Sequence, residues 1–508
     1  MIGQKDLFSG CKISGISDGL TFTGISSDSR RAKKGDLFIC HRGLHRDGRE
    51  YAREATEKGA AAVLSDSALD GIAPEKQFFT DDTRLAESFL WHNFTGKAAD
   101  RMKTVAVTGT AGKSSVVFIL RDILRAAGHK VGVISTVKTL SGDEEISLGE
   151  CGGSSVADIA GAMTTPDPEY FFGAVKRMAD DGCDVLLYEA SSQGLALKKT
   201  SAVKNDIAVF TNLSPEHLDA HGTMENYFAA KAELMKTSRR AVINADDPYI
   251  SRLYGMYSDK EITRCTMQNA DAEIYGVNRK THGERGQEYF FLSDSAVFRL
   301  KTPLVGLYSA YNTLEAAASA VLLGVDPMTV RDALRDSQGA DGRMTKVSTG
   351  IRSLDEKSDI SVYIDYAHTP ESLRSVITTA RETGERITVL FGCGGDRDKS
   401  KRAPMGKIAS EYADRVIVTS DNPRNEDRAA IISDILDGVD KSKDYAVIPD
   451  RRAATEYAIM TAQSGETVLL CGKGHEKYEI TADGKHPYDE YAIASDALGE
   501  RIKKKTNE

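Results

Sequence analysis

Apolar and polar positions alternate along this chain in blocks of strand and helix length. The run Gly35-Asp36-Leu37-Phe38-Ile39-Cys40 predicts a strand, and residues 51–59 and 60–64 predict a helix followed by a strand. From residue 103 to about 339, short apolar runs at 105–108, 184–188, 207–211 and 241–244 each precede an amphipathic stretch. That rhythm predicts a mostly parallel sheet with ligands at the carboxyl ends of its strands. Residues 262–304 break it with shorter runs, a β-rich insertion ahead of a helix over 310–323. After the turn-rich stretch Gln338-Gly339-Ala340-Asp341-Gly342-Arg343, strands at 361–365, 387–391, 415–419, 445–448 and 467–471 alternate with helices, as in a doubly wound sheet. The expected architecture is α/β in three domains: a small α/β domain over 1–100, a central mostly parallel domain over 101–339 and a Rossmann-like domain over 340–508. Residues 95–100 read as a linker.

Length and composition agree with a multidomain enzyme. A chain of 508 residues exceeds what one core organises. A net charge of −9 offers no basic face to nucleic acid, so anionic ligands must be held locally. The seven cysteines contain no CxxC pair, which points to reduced thiols rather than a disulfide framework or zinc knuckle. No run approaches a membrane span and the first residues lack a signal peptide's apolar core, so the expected location is the cytoplasm.

The strand at 105–108 leads through Gly109-Thr110-Ala111-Gly112-Lys113-Ser114-Ser115 into a helix over 116–127, the pattern of a phosphate-binding loop. Glycines admit backbone N–H groups to phosphate oxygens, Lys113 reaches the terminal phosphates and the Ser114 hydroxyl suits Mg²⁺. Val107 stands where the strict motif has glycine, so the loop is a shorter variant. Glu189 ends the strand at 184–188, where a carboxylate serves either a hard cation or the next helix's N-cap. The segment 211–227 is dense in polar groups. His217 and His221 would share a face of a helix, but Gly222 argues for a single ligand. By sequence alone, Lys231 on the following helix reads as an exposed charge. In the third region the loops 392–398, 421–427 and 472–476 should open on one sheet edge and place arginine beside carboxylates and an amide, as a zwitterionic ligand requires.

These motifs, with Glu189-Ala190-Ser191-Ser192, Asp365-Tyr366-Ala367-His368-Thr369-Pro370 and Asp421-Asn422-Pro423-Arg424, resemble the Mur ligases over nearly the whole chain. The chain is most similar to the members that add the third residue of the peptidoglycan stem. Ser27-Asp28-Ser29-Arg30 and His45-Arg46-Asp47-Gly48 resemble the family's uridine-binding N-terminal domain. The resemblance implies that ATP phosphorylates the D-glutamyl carboxylate of UDP-N-acetylmuramoyl-L-alanyl-D-glutamate and that meso-diaminopimelate attacks the acyl phosphate. It implies catalytic roles for Lys113, His217 and Lys231, with Lys231 carbamylated, and Mg²⁺ at Ser114, Glu189, His217 and Lys231. ATP would meet Gly109, Thr110, Gly112, Lys113, Ser114, Ser115, Asn312, Arg343 and Asp365. The nucleotide-linked peptide would meet Ser29, Thr164, Thr165, Ser192 and Lys199, and the amino acid Arg397, Asp421, Asn422, Arg424, Gly472 and Glu476. Arg424 marks members that use diaminopimelate, whose distal carboxylate needs a cationic fork. The family further implies a monomer acting on small molecules, with no nucleic-acid partner and no membrane insertion.

Departures from the family pattern gather on the acyl-substrate side. Gln193 replaces a histidine, Leu197 a glutamine and Lys199 an arginine. Ala111, Glu216 and Ser309 are further changes, and residues 138–163 look longer. Two other readings follow: a paralogue that couples a diaminopimelate-like amine to a different acyl acceptor, and a scaffold without turnover.

Overall fold

The computed structural model describes residues 1–43, 46–147, 163–268 and 271–507. The chain divides into two compact units, one of residues 1–274 and 315–326, the other of residues 275–314 and 327–508.

The first unit begins with a sheet in the order Ser14–Gly15, Gln77–Phe79, Ala62–Ser65, Asp36–Ile39, Gly24–Ser26. All neighbours are parallel except the first pair. Alternation along one strand shows why it is buried: Leu37 and Ile39 join the cluster around Phe22, Phe78 and Leu90, while Phe38 and Cys40 join the cluster around Ala52 and Ala55. Both faces are therefore covered, as a parallel sheet requires. The expected linker at 95–100 is a correction. Ala98 and Ala99 are buried in the large core cluster of this unit, and Thr95 Oγ1 donates to the Trp91 carbonyl at the end of the helix Thr83–Phe94. Small apolar residues there pack; they do not span.

The larger sheet of this unit runs Val131–Ile134, Val185–Glu189, Lys103–Thr108, Asn205–Phe210, Ser238–Asn244, Glu261–Thr266, all parallel. Thr139–Ser141 and Glu144–Glu145 add an antiparallel edge beside Val131–Ile134. One face, with Ala106, Leu186, Tyr188, Ala208 and Phe210, packs on Phe171, Phe172, Val175 and Met178 of the helix Pro168–Asp180. Phe171 is fully buried, edge-on to Phe172 and Tyr188 with ring centroids 5.2 Å away in each case. Truncating Phe171 to alanine will cost about 3–5 kcal/mol, because the residual cavity adds to the lost transfer energy. Chemical denaturation of the full chain will show this as an earlier first transition.

Ile274–Thr281, Gln287–Leu292 and Val297–Thr302 form the antiparallel insertion, which belongs to the second unit from Tyr275 onward. The Rossmann-like sheet runs Thr345–Lys346, Ser361–Asp365, Glu466–Cys471, Arg386–Phe391, Arg415–Val418, Asp444–Val447. The five expected strands are parallel, and Thr345–Lys346 adds an antiparallel edge that the short polar run did not signal. The strand order reverses between Glu466–Cys471 and Arg386–Phe391, so their carboxyl ends flank the crevice where such sheets bind ligands. A two-stranded hairpin, Tyr478–Thr481 with Gly484–Pro487, follows the last strand. No helix among the described residues is long and apolar enough to cross a membrane.

Candidate functional site

The phosphate loop leaves the central strand Lys103–Thr108 and enters the helix Lys113–Ala126 at its first residue. Gly109 has φ 149°, and a Cβ there would come 1.9 Å from Thr211 Oγ1, so only glycine lets the loop lie against the next strand end. The loop is stiffened from that side. Thr110 N donates to the Asn212 carbonyl (2.9 Å), Ala111 N to Asn212 Oδ1 (3.0 Å) and Thr211 Oγ1 to the Ala111 carbonyl (2.6 Å). Thr110 Oγ1 also meets the Tyr227 hydroxyl at 3.1 Å. Ser115 sits half-buried in the helix's first turn.

Two lysines converge on one oxygen. Lys113 Nζ and Lys231 Nζ each donate to the Gly109 carbonyl at 2.9 Å, and Lys113 also donates to the Thr110 carbonyl at 2.9 Å. Lys231, on the helix Met224–Ala232, is buried rather than exposed as its sequence context suggested, with Nζ 4.6 Å from the centroid of the Tyr227 ring. Burial, reinforced by the Lys113 charge and opposed by Glu216, drives its ammonium well below the ordinary lysine value.

Ser114 and Glu189 lie on the other side of the loop. Ser114 Oγ donates to Glu189 Oε1 at 2.7 Å, and both residues are buried. Thr136 binds both carboxylate oxygens, through its N–H (3.1 Å) and its hydroxyl (3.0 Å). Among the described residues Glu189 has no ion pair, and no group of three or more His, Cys, Asp or Glu side chains is arranged to hold a metal ion. A hydroxyl and carboxylate pair nevertheless fits Mg²⁺, which takes most of its six oxygens from water and phosphate. His217 has φ 56° and caps the short helix Leu218–His221, which stops at Gly222; both imidazoles lie beside the Tyr227 ring, with centroids 6.3 Å and 5.1 Å away. The His217 side chain is half exposed, 4.0 Å from Glu216, whereas His221 Nε2 meets Ser192 Oγ at 3.0 Å.

The expected acyl-side residues form a connected network. Thr165 Oγ1 donates to the Glu189 carbonyl (2.9 Å) and to Ser191 Oγ (3.0 Å), and Thr164 Oγ1 accepts from Thr136 Oγ1 (3.1 Å). Lys199 is buried, donates to the Thr165 carbonyl at 3.2 Å and pairs with Asp167 at 2.8 Å. Ser29 is turned elsewhere, its hydroxyl donating to Glu54 at 2.8 Å. His45 and residues 148–162 lie outside the described residues.

The second unit holds Asn312, Arg343, Asp365 and the amino-acid group. Asn312 is buried on the helix Leu307–Leu322. Asp365 is buried at its strand's end and accepts from Met344 N (2.7 Å) and Ala367 N (2.8 Å). Burial raises its pKa, opposed by the Arg343 guanidinium. Arg343 itself lies over the Tyr366 ring, 4.9 Å from its centroid. Asn422 Nδ2 donates to Glu476 Oε2 at 2.8 Å, and Tyr366 donates to Glu476 Oε1 at 3.3 Å. Burial and the neighbouring Asp421 raise the Glu476 pKa. Arg424, at φ 54°, donates through Nη1 to the carbonyls of Gly395 (2.9 Å) and Asn422 (3.3 Å). Gly472 has φ 111°, and a Cβ there would lie 2.7 Å from Asp421 Oδ2. Asp421, Asn422, Arg424, Gly472 and Glu476 are thus brought together. Arg397 is exposed on its loop and makes no hydrogen bond among the described residues.

Sequence reasoning missed Thr136, Tyr366 and Lys473. Lys473 stands in the 472–476 loop flanked by glycines, a composition that signals a backbone site rather than a buried cation.

A phosphate loop with a hydroxyl and carboxylate pair in one unit, and in the other a doubly wound sheet whose edge gathers Asp421, Asn422, Arg424 and Glu476, give the architecture of a nucleotide-dependent ligase. Three family descriptions match in succession: the Mur ligase family catalytic domain over residues 21–80, the Mur ligase middle domain over 107–320 and the Mur ligase glutamate ligase domain over 342–474. The chain is 36% identical to a UDP-N-acetylmuramoyl-L-alanyl-D-glutamate--2,6-diaminopimelate ligase of Syntrophomonas wolfei over 95% of each chain. It is also 36% identical to the ligase of the same name from Clostridioides difficile, over 97% of this chain and 99% of that one. Among solved structures, a ligase of that name superposes with a TM-score of 0.70 at 28% identity, covering 98% of this chain and 99% of that one. A MurF ligase from Thermotoga maritima in complex with ADP shares the fold at 17% identity and a TM-score of 0.58, over 96% of this chain and 99% of that one. The chain belongs to the Mur ligase family of ATP-dependent peptide ligases.

Proposed function

We propose that this protein joins meso-diaminopimelate to UDP-N-acetylmuramoyl-L-alanyl-D-glutamate at the expense of ATP, in peptidoglycan precursor synthesis. Relatives of that name, 36% identical over 95% of the chain, support the reading. The observation that carries the choice of amine is Arg424, whose Nη1 is anchored on two carbonyls while Nε and Nη2 keep donors for a carboxylate. Residues 1–100 would bind the uridine nucleotide, 101–339 ATP and 340–508 the amino acid.

In this reading Lys113 and the loop N–H groups hold the phosphates, and the D-glutamyl carboxylate takes the terminal phosphoryl group. The amine, its ammonium received by Glu476 and Asp421, gives up a proton and attacks the acyl phosphate, so that amide, ADP and phosphate result. Mg²⁺ bound near Ser114, Glu189, His217 and carbamylated Lys231 would neutralise phosphate charge. Asn312, Arg343 and Asp365 would serve the nucleotide, and Thr164, Thr165, Ser192 and Lys199 the acyl substrate. The protein would act as a cytoplasmic monomer.

The decisive test is phosphate release with ATP, Mg²⁺ and the UDP-linked dipeptide, comparing meso-diaminopimelate with L-lysine. Release with diaminopimelate alone supports the reading; release with neither amine defeats it. A further prediction follows from Lys231, whose burial beside Lys113 disfavours the charged amine and so favours a carbamate. Activity in CO₂-depleted buffer will therefore drop and recover on adding bicarbonate. Loss without recovery would argue against the carbamate.

A further inference from the structure

Lys473 follows the strand Glu466–Cys471 by two residues and is fully buried. Its ammonium donates to Asn422 Oδ1 at 2.5 Å and to the Tyr478 carbonyl at 2.8 Å. The nearest carboxylate, Glu476, is 3.9 Å away, beyond hydrogen-bond reach. A desolvated cation held by neutral oxygens is an expensive way to fill this volume, since an apolar side chain of equal length would often be as stable. Burial accordingly lowers its pKa, opposed by Asp421.

What the lysine touches explains its presence. Asn422 Oδ1 also accepts from Ile480 N at 3.0 Å, so its amide has one orientation and its Nδ2 must face Glu476. Ile480 O accepts from Arg424 N at 3.0 Å, so the strand Tyr478–Thr481 grips the Asp421–Arg424 loop at both Asn422 and Arg424. Lys473 binds the first residue of that strand and the asparagine together. The 472–476 loop and the hairpin strand that follows it thus meet the 421–424 loop, some fifty residues upstream, on one ammonium.

On the ligase reading above, we infer that Lys473 is a positioning residue for the incoming amine, tying the hairpin strand to the 421–424 loop so that Asn422, Glu476 and Arg424 form one fixed recognition surface. It touches neither the phosphate loop nor the residues expected to hold the acyl substrate. Its loss therefore changes amine recognition and leaves acyl-phosphate formation intact.

The test uses the full-length chain with K473M. Acyl-phosphate formation is read separately with hydroxylamine, which intercepts the intermediate as hydroxamate without needing the amino-acid site. The expected result is a KM for meso-diaminopimelate raised about tenfold or more, kcat within about threefold, and unchanged hydroxylamine-dependent phosphate release. An unchanged KM, or equal loss of both reactions, overturns the inference. Should K473M fail to fold, K473Q is measured in the same way; failure of both to fold assigns the lysine to stability and also overturns it. Wild-type chain inactive with diaminopimelate but able to form hydroxamate defeats the amine assignment and this inference with it. Wild-type activity with a K473M KM that does not move defeats this inference alone.

Discussion

Replacing Lys113 with methionine will abolish phosphate release, lowering kcat by about 10³-fold or more. Methionine keeps the length and removes only the charge, so the helix Lys113–Ala126 and the strand ahead of it should persist, and a thermal melt will confirm that. The size of the effect follows from the site. Lys113 Nζ is anchored on the Gly109 and Thr110 carbonyls, 2.9 Å from each, so the charge is pre-positioned beside the loop's N–H groups. A fixed cation costs no reorganisation when charge moves onto the transferring phosphoryl oxygens. The same substitution will relieve Lys231, whose pKa the Lys113 charge helps to depress. A K113M variant that retains phosphate release within tenfold of wild type would remove the loop from the chemistry.

The second large effect concerns substrate choice. Arg424 replaced by methionine will reduce kcat/KM for meso-diaminopimelate by about 10²-fold, corresponding to about 2.7 kcal/mol of lost charge-assisted hydrogen bonding. Activity with L-lysine, which lacks the distal carboxylate, will stay as low as in wild type or rise. Hydroxylamine-dependent turnover will be unchanged, because the acyl phosphate forms without the amine. Equal loss with every nucleophile would mean that Arg424 supports the loop rather than the substrate. That outcome has a structural basis, since its Nη1 already braces Gly395 and Asn422. Arg424→Lys separates the two roles further: a lysine supplies charge but cannot both brace a carbonyl and fork a carboxylate.

Much of this site is legible in one dimension because its parts are local. The Gly109–Ser115 loop carries its own strand, glycines, lysine and hydroxyl within a dozen residues, and the physics of anion capture needs no more. The same holds for the strand-end positions of Glu189 and Asp365, since an apolar run ending in a carboxylate places that carboxylate at a sheet edge. The alternation of apolar runs and amphipathic stretches likewise specifies parallel strands, because each strand must be buried on both faces.

Other features belong to neighbours far along the chain. Lys231 reads as a surface charge on an amphipathic helix; its burial comes from Tyr227 and the Gly109 carbonyl, 122 residues upstream. Thr136 carries no motif, yet it fixes both oxygens of Glu189 because the strand Val131–Ile134 lies beside Val185–Glu189 in the sheet. Residues 95–100 have the composition of a linker, but Ala98 and Ala99 pack, since alanine is small and apolar enough to be buried once a core faces it. The edge strand Thr345–Lys346 is likewise too short and polar to announce itself.

The sequence by itself determined the α/β class, the phosphate loop and the family to which the chain belongs. All of these are written in local spacing and in residue chemistry that does not depend on environment. The tertiary structure alone decided which lysines are buried, which hydroxyls hold Glu189, and how Asn422, Lys473 and the hairpin strand lock together. Desolvation and hydrogen-bond partnership are properties of what surrounds a group, and sequence separation says nothing about either.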